Sequence, residues 1–109
     1  MTWKKLLGQG RLHRHATSLS ELRELRRLIA RDLADAGIPE LSEDRRFATA
    51  YNAALQTAKM AVACAGYRVA SAPGHHRLTF EAAKLALGKP GAQLADYFDA
   101  CRRKRNEID

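Results

Sequence analysis

Between Ser18 and Gly37 the apolar residues Leu22, Leu25, Leu28, Ile29, Leu33 and Ala36 recur every three or four positions, with charged residues between them. That period is one face of an α-helix and predicts an amphipathic helix over 18–36. Ser18 and Glu21 have capping-box spacing at its start, and Gly37 followed by Pro39 marks its end. Ser42 opens a second helix, over 43–66, with the stripe Phe47, Tyr51, Ala54, Leu55, Ala58, Ala61, Val62 and Ala65. Its many alanines let a neighbour approach closely, so the two helices read as a long antiparallel pair joined through 37–41.

Pro73-Gly74 breaks the chain again, and Leu78, Phe80, Ala82, Ala83, Leu85 and Leu87 supply a third helix over 76–87. After Gly88-Lys89-Pro90-Gly91 a fourth runs over 92–108. No segment alternates with period two, and Ile and Val are few, so no strand is expected. The predicted class is all-α, an antiparallel up-and-down four-helix bundle over 17–109. Residues 1–16 carry four Lys/Arg, two histidines and no acid, and read as a basic N-terminal arm or a short extra helix lying on the body.

The last helix holds an anomaly. Leu94, Phe98, Cys101 and Ile108 are spaced by four, three and seven, and Arg105 falls on the same stripe. An inward guanidinium keeps its charge, so it needs a carboxylate, carbonyl oxygens, a phosphate or a water-filled cleft. Two readings stand: a structural arginine that lays its stem over the core, or an anion ligand. Arg102 lies at the stripe's edge. Arg103 and Lys104 lie off it as solvated cations that complement the helix dipole, with Asp99 able to pair with Arg103 one turn back. Arg102 and Arg105 together suit a backbone phosphate, and Asn106 beside them can donate and accept.

Composition narrows the partners. At 109 residues the chain has room for one domain with a modest core, and its formal charge of +7 favours an anionic partner, nucleic acid first. Cys64 and Cys101 lack CxxC spacing and read as small buried hydrophobes in a reducing compartment. Leu6-Leu7 is too short for a signal-peptide core and no run approaches a membrane span, so the reading is cytoplasmic, with no membrane partner. The four histidines form two pairs, His13/His15 and His75/His76, too few for a metal site without further ligands, and no cofactor motif is present. His75 and His76 open the third helix, where histidine caps and packs, or binds and transfers protons.

The alanine-rich second helix with Tyr51, Ala54 and Ala58, the stretch Ala65-Gly66-Tyr67-Arg68 followed by Gly74-His75-His76, and a last helix bearing Arg105-Asn106 together resemble the HEPN superfamily over 17–109. That resemblance implies a small helical bundle, often dimeric, of the toxin–antitoxin or defence type, and in many members a metal-independent ribonuclease. The family signature is an arginine followed by a polar residue, commonly Asn, with a histidine or tyrosine several residues on. Arg105 and Asn106 match its first half; the second falls at Asp109 or beyond. The implied roles are catalytic for Arg105 and Asn106 and RNA-binding for Arg102, Arg103, Lys104, His75 and His76. The implied partners are RNA, a second copy of the chain and a nucleotidyltransferase-type antitoxin. A non-catalytic nucleic-acid or nucleotide-binding module, or a helical protein-interaction domain, would use the same residues.

Overall fold

The structure, a computed structural model, describes residues 2–108 without the Ile108 side chain, so that residue's place on the last stripe lies outside the described residues. The elements in chain order are α1 (Trp3–Gly8), β1 (Leu12–Arg14), α2 (Leu19–Ala36), α3 (Glu43–Cys64), β2 (Tyr67–Val69), α4 (His75–Leu87) and α5 (Lys89–Ile108). The chain is mostly helical, as the periodicity predicts. Five helices and a small two-stranded sheet make it up, rather than four helices alone.

The capping signals are used. Ser18 and Ser42 accept hydrogen bonds from the backbone N–H groups of Glu21 and Arg45 and so start α2 and α3. α3 is the central element: α2 packs along it, and α4 and α5 pack on it elsewhere. The core joins Tyr51, Leu55, Ala58 and Val62 of α3 to Leu78, Phe80, Ala82 and Ala83 of α4. Phe80 is 1% exposed and meets Tyr51 edge-on at 6.0 Å, with Phe98 of α5 at 6.3 Å.

Several sequence expectations need correction. The first is the sheet: β1 and β2 pair antiparallel, with Leu12 opposite Val69 and His13 opposite Arg68. Strands of three residues are too short to show an alternating pattern, and their partners lie far apart in sequence. The second is the N-terminal segment, which is built into the body. Leu6 and Leu12 are 0% and 1% exposed, and Trp3 stacks on Tyr67 at 4.4 Å. Of the two readings of 1–16 the packed helix holds, extended by a strand.

The third concerns α5, which starts at Lys89 rather than Ala92. Pro90 fits a first turn because no N–H is needed there. Gly91 is buried, and a Cβ on it would run into the Leu87 side chain, so only glycine lets α4 and α5 reverse so tightly. The packed face of α5 runs through Gly91, Ala95, Phe98, Cys101, Arg102 and Arg105, and leaves Leu94 57% exposed. The cysteines also differ from expectation: Cys64 is exposed and Cys101 half-buried. Among the described residues no helix is long and apolar enough to cross a membrane.

Candidate functional site

α4 begins where Gly74 takes a left-handed conformation, φ 80°, which turns the chain without a side-chain cap. The first two residues of the helix are therefore His75 and His76, and their rings meet edge-on at 4.5 Å. The last turns of α5 bring Arg102, Arg105 and Asn106 to the same place. Together with Pro73, Gly74 and Arg77 these residues line a groove of about 320 Å³.

The histidines are held in complementary ways. His75 Nδ1 lies 2.9 Å from the Ala72 carbonyl, which only accepts, so Nδ1 carries the proton. In neutral His75 the lone pair is then on Nε2. His76 Nδ1 lies 3.2 Å from the Tyr51 hydroxyl. When Tyr51 donates that bond, the proton of neutral His76 sits on Nε2. The pair thus offers one ring nitrogen as proton acceptor and one as donor.

Burial first, and the neighbouring cations after it, favour the neutral form of the second ring. Burial pushes His76 below its ordinary value of 6.5, and the nearby His75, Lys59, Arg105 and Arg102 push the same way. Burial likewise raises the Tyr51 phenol above 10, against the pull of Arg105 and Arg102, so Tyr51 stays protonated at neutral pH and able to donate. Arg105 lies with its guanidinium carbon 5.5 Å from the centre of the Tyr51 ring, a cation–π contact that orients it at the groove wall. Arg102 Nε donates to Asp99 Oδ1 at 2.8 Å, which fixes its side chain in the half-buried wall.

Five of the seven residues expected at the site, His75, His76, Arg102, Arg105 and Asn106, line this one groove. Arg103 and Lys104 do not. Both are exposed on the opposite side of α5, and Lys104 pairs with Glu107 at 3.6 Å. The Asp99 partner also differs from expectation: it is Arg102, three residues on, instead of Arg103. The role of Tyr51 in holding His76 was not anticipated, because its place on an apolar stripe read as core alone. The only signal was the hydroxyl, which a buried tyrosine needs to satisfy.

Among the described residues no three or more His, Cys, Asp or Glu side chains are grouped to hold a metal ion. No protein-family model, curated protein or solved structure matches the chain.

Proposed function

We propose that the groove between the start of α4 and the end of α5 binds the phosphate backbone of RNA and cleaves it without a metal ion. The observation that carries this reading is the convergence of three arginines, Arg77, Arg102 and Arg105, two histidines of complementary donor character and an asparagine on one groove of about 320 Å³. Arginine forks match phosphate oxygens, and a cation held against an aromatic face needs no reorganisation when charge develops on the phosphate.

The chemistry that fits is attack by the ribose 2′ oxygen on the adjacent phosphorus. His75 Nε2 takes the 2′ hydroxyl proton, the new P–O2′ bond forms, and the P–O5′ bond breaks. The 5′ oxygen leaves with a proton from solvent, and the product ends in a 2′,3′-cyclic phosphate. Arg105, Arg102 and the Nε2 proton of His76 hold the non-bridging oxygens as their charge rises, and Asn106 orients the same group. The chain is read as a ribonuclease of the HEPN kind, working as a two-fold dimer in which a second copy completes the cleft. The exposed apolar side chains of Leu94 and Tyr97 on α5, 57% and 64% exposed, support a partner along that helix.

The test is incubation of labelled RNA with the protein in EDTA, with Arg105→Ala alongside. Cleavage by the parent chain is expected to persist in EDTA. Arg105→Ala is expected to abolish it, or to weaken RNA binding by about 1–3 kcal/mol, with the melting temperature little changed. Loss of stability by roughly 3–5 kcal/mol, with activity per folded molecule unchanged, would make Arg105 a structural residue. Light scattering is expected to give twice the monomer mass, and a strict monomer would remove the composite cleft.

A further inference from the structure

A second cavity, of about 360 Å³, opens between α2, α3, β2 and the start of α4, and His75 lines it as well as the groove. Its volume is in the range of small-ligand pockets, roughly 300–1,000 Å³. Its walls are of two kinds. Leu25, Val62 and Val69 are apolar, while Tyr67 adds an aromatic ring held flat against Trp3, with 13° between the ring planes. Glu21 and Thr79 supply polar edges. Glu21 Oε1 holds His15 Nε2 at 2.6 Å, which leaves the other carboxylate oxygen as an acceptor, and the Thr79 hydroxyl, spending its proton on the His75 carbonyl at 2.7 Å, keeps a lone pair. Lys59 and Arg68 are exposed at the rim.

A flat heteroaromatic ring with N–H donors on its edge and a phosphate on either side satisfies all three features at once: apolar walls, acceptors within, cations at the mouth. A free carboxylate or phosphate would face Glu21, and a purely aliphatic ligand would bury the His15–Glu21 pair unanswered. Because His75 is shared, a phosphate in the groove and a base in the cavity lie one residue apart. We infer that this cavity receives a single unpaired nucleobase of the RNA whose phosphate lies in the groove, which makes the substrate single-stranded. A base in a duplex is stacked and paired on both sides and could not enter without being turned out. This inference rests on the ribonuclease reading for its substrate, and its test separates the two.

The full chain, labelled with 15N, is titrated with each of the four nucleoside 5′-monophosphates and with ribose 5-phosphate. At least one nucleotide is expected to move the amides of Glu21, Leu25, Val69 and Thr79 together with those of Arg105 and Asn106. It should also bind about tenfold or more tighter than ribose 5-phosphate, the scale of one stacked base. Ribose 5-phosphate is expected to move only the groove residues. Ser71→Trp, which crowds the mouth of the cavity from an exposed position, is expected to abolish the base-dependent shifts and leave the groove's response to inorganic phosphate intact. Should that variant melt early, Arg68→Glu serves instead and is expected to weaken nucleotide binding through the rim of the cavity. Identical shifts from nucleotides and ribose 5-phosphate, confined to the groove, would overturn the base pocket and leave the ribonuclease reading standing. Shifts in the cavity without any in the groove would keep a base-binding cavity but overturn its link to the groove, and would sink the ribonuclease reading. No response in the cavity to any nucleotide would overturn the inference.

Discussion

Arg102 to Arg105 are four consecutive cations on one helix, yet the two sides of that helix do different things. Arg102 and Arg105 face the groove, one tied to Asp99 and the other laid over Tyr51. Arg103 and Lys104 face solvent, where a pair such as Lys104–Glu107 is worth little. The difference teaches that charge count is a poor guide to a binding site. What distinguishes the inner pair is that neighbouring side chains fix their geometry, and fixed cations stabilise a developing charge better than mobile ones.

The largest effect is expected on the groove side, at His75. His75→Ala removes the proposed proton acceptor and is expected to lower kcat on RNA by about 10²–10⁴, measured in EDTA with folding checked by circular dichroism. His13→Ala, on the exposed outer side of the β-ribbon, is expected to leave kcat within a factor of about two, since it touches neither groove nor core. Equal losses from both would mean that histidine content, and not the groove, governs activity.

The inner and outer sides also differ in what they carry for the fold. Phe80 lies under the site at 1% exposure, and Phe80→Ala is expected to cost about 3–5 kcal/mol in chemical denaturation. Leu94→Ala, at 57% exposure in the single chain, is expected to stay within about 0.5 kcal/mol when the protein is dilute enough to be monomeric, and to cost more where the proposed dimer covers this face. A loss at Leu94 that does not grow with protein concentration would speak against a partner on this face.

A smaller effect is expected at the Tyr51–His76 contact. Tyr51→Phe removes one neutral hydrogen bond, worth ~1 kcal/mol, and is expected to lower kcat by about fivefold by freeing the His76 tautomer. The pH dependence of stability is subtler still. Because His76 titrates below its ordinary 6.5 in the fold, the unfolded chain takes up that proton first as pH falls. Its contribution to stability is therefore full above about pH 6.5 and is lost as pH falls through the lowered folded value. Chemical denaturation between pH 7 and 5 is expected to show this decline, and His76→Gln to flatten it. A slope of opposite sign would mean that the ring is charged in the fold.

Much of this was legible in the sequence where a long period could speak. The spans of α2 and α3 follow from Ser18, Gly37 and Ser42 together with leucines and alanines at helical spacing. The inward position of Arg105 was equally readable, because one polar residue among apolar ones on a stripe is a strong signal. What escaped were features made by contacts distant in sequence. The β1–β2 ribbon pairs residues 12–14 with 67–69 through strands too short for alternation to be seen. The tight reversal between α4 and α5 rests on how Gly91 meets Leu87, which no helical period announces, and the packed face of α5 takes in Ala95 and Arg102 where the period had put Leu94. The cavity beside His75 draws on four elements and has no sequence motif.

The most direct test sets geometry against charge. Arg105→Ala removes one positive charge, and Arg103→Ala combined with Lys104→Ala removes two, so the three chains can be compared for cleavage of the same labelled single-stranded RNA in EDTA with melting temperatures alongside. The expected result is a loss of about 10²–10³ in kcat for Arg105→Ala, the scale of one lost oxyanion ligand, and near-parent cleavage for the double variant. The contrary result, a larger loss from the solvent-side pair than from Arg105→Ala, would show that RNA is met by the charged surface of α5 and that the groove is not the site.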